Sequence, residues 1–557
     1  MLPEIFKAAP GPAAESERNK AEEEAMADLI LVNGSVWTNN SRQPWAEAVV
    51  VRGAHITYVG AAKDIPASDF TSASVIDLHG GLVLPGFIDC HTHFLEGGFS
   101  LESLQLADVR SREEFITRVE AKAREMDSGQ WILKGEWDQE LLDPPELPHR
   151  NWIDAVTPRN PACLNRHDLH MVLANSLALQ AAGITRDTPS PCGGEIRKDL
   201  ETGEPTGILT DAAMDLVLRH VPQPSFEEKI RAAQAALRLA ARRGLTSVHD
   251  MGDASHFEIF QELLRREELT CRISLYFPMT EVGLFTRLKM ATPFGGEFLR
   301  ISGLKSFVDG SLGSETALFF DPYTDDPGHF GLFHSQMFPE GEMEERIAAA
   351  DRAHIQLAVH AIGDRANAVL LDMFERVTAR GQPRDRRWRV EHAQHLRMED
   401  VERLGRLGII ASVQPYHALD DGCWAEKKIG RKRCRFMHMY QTLLRNGVRL
   451  VFGSDWTVAP LDPLVGIYAA VTRRTLDGKN PEGWIREEKI TVEDAVKAYT
   501  LDAAYAEFDE GCRGSIEERK LADLVILDRN IFGLPPEKIP QARVVMTIVN
   551  GQIVFQE

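Results

Sequence analysis

The chain has 557 residues, too many for one simple core, so a large domain with one or two satellites is expected. Its 43% apolar and 26% charged residues are ordinary for a soluble globular protein, and a formal charge of −20 speaks against a nucleic-acid surface or an anionic membrane partner. The seven scattered cysteines include no Cys-x-x-Cys pair, which speaks against a disulfide framework or a thiolate zinc site and fits reduced thiols in a cytoplasm.

Residues 1–26 are rich in Ala, Glu, Pro and Lys and hold no apolar core for secretion, so they read as a flexible leader, with Met26 as an alternative start. No stretch approaches the ~18 consecutive apolar residues of a membrane span. From Leu29 to Trp37 two β-rich runs flank Asn33-Gly34, a hairpin signal, and Ala48–Val51 and Ile56–Gly60 add strands. The far end repeats the pattern, with Asn550-Gly551 inside Val544–Phe555 and a further strand at Ala522–Asp528. The two termini, residues 27–85 and 510–557, are therefore expected to meet in one composite β-sandwich, with a larger domain over 86–509 inserted between them.

That larger domain alternates. Helix Phe226–Arg243 places Ile230, Ala233, Leu237 and Ala240 on one face and stops before Gly244, and the strand Leu245–Val248 follows at once, ending in His249-Asp250. Strands at Arg272–Phe277, around Lys305, before His360, at His392, at Ile409–Val413 and before Asp455, added to the His91 and Leu245 strands, make eight. Eight strands with helical connections imply an α/β fold, a parallel (β/α)8 TIM-like barrel with its catalytic groups at the C-terminal strand ends. About 150 residues separate the first strand from the second, far beyond a normal crossover. An inserted subdomain over about residues 128–215 is expected there, lining or lidding the pocket.

The polar residues at the strand ends carry the chemistry. His91 and His93 are two apart on a strand, so both rings point to one side and can chelate one cation; Cys90, one residue before the pair, should point away and pack. His360 and His392 each end a buried strand, as ligands or as satisfied polar groups. Lys305 suits a metal only if its amine is neutral or carboxylated to an anionic carbamate; the alternative is a head group paired with a carboxylate such as Asp309. Asp455 reads either as a helix cap or as a carboxylate that touches the metal and takes a proton from the water that the cation activates. Phe319, Phe320, Tyr323 and Trp456 follow strand ends and are candidates for an apolar wall, with plain packing as the alternative. His249 and Asp250 stand as partners of the ligands or as packing groups.

The run Leu84–His93, the segment Lys305–Ser314 with Ala317, Val359–Asp364, Arg389–His392 and the Gly-Ser-Asp of Asp455 resemble the amidohydrolase superfamily, and within it the YtcJ-like branch that includes N-substituted formamide deformylase. The resemblance covers the chain from about residue 28 to its end. It implies a distorted barrel with a composite β-sandwich and one or two divalent metals, usually zinc. It also implies His91 and His93 as ligands of one metal, His360 and His392 as ligands of the other, a carboxylated Lys305 between them, Asp455 as the acid of the last strand, and His170 of the inserted region as a group that reaches the substrate.

The expected activity is hydrolysis of a carbon–nitrogen bond, the amide or formamide of a small N-substituted compound. An ester, lactone or cyclic amide is the alternative, and a non-catalytic scaffold on the same fold is a third reading. The expected partner is the small-molecule substrate, with no nucleic acid and no membrane; a homodimer is left open.

Overall fold

Eight parallel strands form the centre of the molecule in a computed structural model that describes residues 28–557 apart from residues 72, 102 and 223. The expected leader, residues 1–26, lies outside the described residues. In chain order the barrel strands are β1 (Phe87–Thr92), β2 (Leu245–Asp250), β3 (Arg272–Pro278), β4 (Leu299–Phe307), β5 (Leu357–Ala361), β6 (Arg389–His392), β7 (Ile410–Val413) and β8 (Leu450–Phe452). Each pairs in parallel with the next. The strands are buried on both faces, between the barrel interior and the surrounding helices, and so read as near-continuous apolar runs.

The seam between β8 and β1 closes just beyond the strand ends. Asp455 N–H donates to the His91 carbonyl at 2.7 Å, and His93 N–H donates to the Trp456 carbonyl at 2.8 Å. Gly453 makes this approach possible, since a Cβ there would stand 2.6 Å from the His91 nitrogen. The closure thus brings residues from opposite ends of the barrel's sequence side by side.

The connection into β2 shows how the local sequence builds the fold. Helix Phe226–Arg242 begins with a reciprocal cap, Glu228 N–H on Ser225 Oγ at 3.3 Å and Ser225 N–H on Glu228 Oε2 at 2.8 Å. Its Ile230, Ala233, Leu237 and Ala240 are buried, as their spacing predicts, and Gly244 turns the chain into β2 with φ of 76°.

Both termini share a second β unit. Leu82–Pro85 pairs antiparallel with Leu524–Leu527 in a six-stranded sheet, and a four-stranded sheet holds Leu29–Val32, Ala48–Arg52, His55–Gly60 and Ser74–Asp77. Leu29, Leu31, Val49 and Val51 of the smaller sheet meet Val83, Leu524, Ile526 and Ile548 of the larger in one core, which makes a sandwich. The expected N-terminal hairpin is not there: Leu29–Val32 and Ser35–Trp37 lie in different sheets, and Asn33-Gly34 carries the chain from one to the other. The C-terminal pair, Val544–Val549 with Gln552–Gln556, is antiparallel as expected.

The insertion after β1 is a six-stranded sheet that begins earlier than residue 128. Its edge strand is Leu104–Gln105, and Phe115 and Val119 of helix Arg112–Glu125 share a core with Ile132, Trp152, Leu164 and Leu173. Among the described residues no helix is long and apolar enough to cross a membrane.

Candidate active site

At the C-terminal end of the barrel, His91 and His93 present their Nε2 atoms to one carboxylate oxygen. Asp455 Oδ1 lies 3.4 Å from the first and 3.3 Å from the second. These three residues offer ligand atoms within 4.8 Å of one another, and His392, His417 and Asp455 form a second such group. Lys305 Nζ is 3.4 Å from His91 Nε2. The set is nitrogen and oxygen throughout, the donor chemistry of zinc and similar divalent ions, so the residues fit a metal.

Burial prepares these groups as ligands. Burial and the nearby Lys305 pull His91 down to about 4, and burial holds His392 and His360 well below the ordinary imidazole value, so all three rings are neutral near pH 7. Burial alone would raise Asp455, but His91, His93 and His392 hold its carboxyl well below the usual range. Burial brings the Lys305 ammonium down to about 8. Among the described residues no carboxylate oxygen lies within 4.0 Å of its Nζ. The alternative partner, Asp309, is occupied elsewhere: it accepts backbone N–H groups from Leu318, Ile362 and Gly363 at 2.8 to 3.0 Å.

Behind the ligands runs a buried polar network. His91 Nδ1–H donates to Glu391 Oε2 at 2.5 Å, and Arg389 Nε donates to Glu391 Oε1 at 2.7 Å. The Arg389 guanidinium donates further to His249 Nδ1, Tyr276 Oη, the Cys90 carbonyl and Ser412 Oγ, which uses all five of its N–H groups. His249 continues to Glu507, and Glu507 to Arg513. His249 is therefore a remote partner of His91. Asp250 serves structure instead, accepting Phe94 N–H and the His256 ring. Cys90 points outward into a cluster with Ile88, Val451 and Ala503.

Two of the ligand-type residues sit on strained backbone, His392 with φ of 71° and Asp455 with φ of 59°, a placement that strand periodicity does not describe. Asp455 is not a helix cap: the next helix, Pro463–Thr472, is capped by Asp462. His392 Nδ1 bonds the Gln414 amide at 2.8 Å. His360 stands apart from both three-donor groups. Its ring lies against His392 at 4.5 Å between centroids, and its Nε2 faces the Gly310 carbonyl at 3.1 Å.

A cavity of about 640 Å³ opens in front of these groups. His170 and Trp456 line it. His170 Nδ1 is 2.7 Å from Asp211, and although burial disfavours the charged ring, Asp211 outweighs it and raises the pKa. Trp456 packs over Gly97, where a Cβ would stand 2.3 Å from the indole. Phe319 and Tyr323 are not brought to the cavity. Both are about 1% exposed and pack in a separate core with Trp424 and Ile429, where the Tyr323 hydroxyl donates to the Ala317 carbonyl. Phe320 is exposed under the Arg397 guanidinium.

Sequence reasoning missed Glu391, His417 and Asp211. For Glu391 a signal existed, because Arg389 and Glu391 are two apart on a strand and share its inward face. Nothing local marks the other two.

The geometry can be set beside known proteins. The chain is 39% identical to Protein LONG AFTER FAR-RED 3 of Arabidopsis thaliana, over 95% of this chain and 92% of that one. It is 30% identical to the putative amidohydrolase YtcJ of Bacillus subtilis and 28% identical to the N-substituted formamide deformylase of Arthrobacter pascens, each over 95% of this chain and 99% of the relative. The structure resembles that of an uncharacterized metal-dependent hydrolase from Pyrococcus furiosus, with a TM-score of 0.71 and 28% identity over 90% of this chain and 99% of that one. The model of the amidohydrolase family matches residues 74–555, a span that takes in the whole barrel and its insertion. With that match the chain belongs to the amidohydrolase family of metal-dependent hydrolases.

Proposed function

We propose that the protein hydrolyses a carbon–nitrogen bond in a small N-substituted amide or formamide. The observation that carries this reading is Asp455, a buried carboxylate held within 3.4 Å of both His91 and His93 at the floor of the cavity. A base beside a group of metal donors suits proton transfer from an attacking water to a leaving nitrogen. The relative named N-substituted formamide deformylase supports the choice of bond.

His91, His93, Lys305, His360, His392 and Asp455 would hold one or two zinc ions. Zinc when bound polarises the scissile carbonyl and lowers the pKa of water. A carboxylated Lys305 would supply an anionic ligand. Its neutral amine forms a carbon–nitrogen bond with carbon dioxide and loses one proton to solvent, a step favoured by the pKa of about 8. Asp455 accepts the proton of the attacking water and returns it to the nitrogen as the bond breaks. His170, held by Asp211, would donate to the substrate from the wall of the cavity. We place this activity in the cytoplasm, where the seven unpaired thiols stay reduced.

The test is a panel of N-formyl amines, N-acyl amines, cyclic amides and esters offered to zinc-supplied protein. Turnover of N-substituted formamides or amides with the highest kcat/KM is expected. Hydrolysis confined to esters or lactones would overturn the choice of bond.

A further inference from the structure

Almost every carboxylate that lines the cavity has a counter-group. Arg166 serves Asp138 at 2.8 Å and Asp168 at 2.7 Å, and His170 serves Asp211 at 2.7 Å. His167 lies 3.4 Å from Asp420, Asp421 is held by hydrogen bonds from the Gln394 amide at 2.6 Å and the His438 ring at 2.9 Å, and Asp455 faces His91 and His93. Asp215 is exposed to solvent.

Glu136 differs from all of these. It lines the cavity and is 9% exposed, and among the described residues no Lys, Arg or His nitrogen lies within 4.0 Å of its carboxylate. Its Oε1 is buried without a hydrogen-bond partner. The nearest side-chain hydroxyls are those of Thr457 and Ser100; Thr457 Oγ1 is itself unpartnered, and Ser100 already donates to the Gly97 carbonyl. The residue stands at the end of strand Ile132–Gly135, on three successive left-handed positions, Lys134, Gly135 and Glu136, with φ of 69°, 128° and 58°. Lys134 and His167, both beyond 4.0 Å, act on this carboxylate without offsetting its burial. A carboxylate with no cation in contact is costly to bury, and a fold that holds one against a cavity leaves the contacting charge to a ligand.

We propose that Glu136 recognises an ammonium group on the substrate, so that the preferred substrates are N-substituted amides that also carry a primary amine. The three N–H groups of an ammonium match the acceptors offered there, the Glu136 carboxylate and the Thr457 hydroxyl. The site lies beside the segment that follows Asp455, so the cation would sit on the β8 side of the cavity. This inference rests on the amide-hydrolase reading for the bond that is cut, and not for the recognition itself.

The test has a binding arm and a kinetic arm, both on the full-length, zinc-loaded protein. Calorimetry at pH 7 compares benzylamine with benzyl alcohol, its uncharged analogue. Benzylamine should bind at least tenfold more tightly to the wild type, and in Glu136→Gln the two should come within about twofold. The kinetic arm compares N-formyl-1,4-diaminobutane with N-pentylformamide; Glu136→Gln should lower kcat/KM for the first by at least tenfold and leave the second within about twofold. A benzylamine preference without turnover of either formamide would refute the amide reading and uphold Glu136. Turnover with no amine preference, a preference that survives in Glu136→Gln, or no benzylamine binding would overturn the role of Glu136. Should the Gln variant fail to fold, Glu136→Asp retracts the carboxylate by one methylene and should weaken benzylamine binding alone.

Discussion

His91 Nδ1 and Glu391 Oε2 are 2.5 Å apart, both side chains fully buried. Although burial alone would raise Glu391, Arg389 and His91 hold its carboxyl well below the usual range, so it is an acceptor at every working pH. The His91 proton therefore stays on Nδ1, and Nε2 is left with its lone pair facing Lys305 and Asp455. The tautomer of this candidate ligand is set by a carboxylate on the far side of its ring.

Glu391→Gln should therefore weaken metal binding without removing a ligand. Partners of this kind are worth ~10–100-fold in metal affinity. Competition with a chelator measures the change, and an unaltered affinity would show that the tautomer is held by other means.

Lys305→Ala should lose metal as well as activity, and a short carboxylic acid in solution should restore part of both by standing in for the carbamate. Elemental analysis of the wild type should find at least one equivalent of divalent metal per chain. Full metal content in Lys305→Ala would remove the lysine from the ligand set.

Asp455→Asn keeps the shape and removes the base. Amide turnover should fall by ~10²–10⁴-fold, the usual worth of general acid–base catalysis. An activated ester should lose less, because its leaving group departs without a proton. Unchanged amide turnover with full metal content would contradict the acid–base role.

His256 gives a pH dependence away from the ligands. It lies 2.8 Å from Asp250 and 3.1 Å from Glu96; burial disfavours its charge, yet the two carboxylates outweigh burial and push it up to about 11. A folded pKa above the unfolded ~6.5 means that the stabilisation is complete below that pH and is lost as pH rises toward 11, by up to ~1.4 kcal/mol per unit. Calorimetry should show the Tm advantage of the wild type over His256→Gln narrowing between pH 7 and pH 9. A gap that stays constant would mean that the ring is neutral in the folded protein.

How much of this was legible in the chain can be judged residue by residue. The barrel strands were readable because each is a short buried run, and several end in a polar group, a pattern that survives without knowledge of neighbours. His91, His93, Lys305 and Asp455, expected at such ends, line the cavity together. The Asn33-Gly34 signal misled, because a turn motif reports a local reversal of the chain and says nothing about which strand receives the next hydrogen bonds; here the two runs joined different sheets. Phe319 and Tyr323 misled for a similar reason, since a position after a strand end does not say whether the side chain faces the cavity or the packing beneath it.

What the sequence by itself determined is the set of strands, the helix faces and the chemical types at the strand ends, because burial period and chain stiffness act over a few residues. Only the tertiary structure decided who meets whom. The Glu391–His91 pair spans 300 residues, the Asp211–His170 pair depends on the folding of the insertion, and Glu136 has no cation in contact among the described residues, which only a filled three-dimensional neighbourhood can reveal. Electrostatic and hydrogen-bond partners are chosen by distance in space, and distance in space is set by the closure of the barrel and not by any local run of residues.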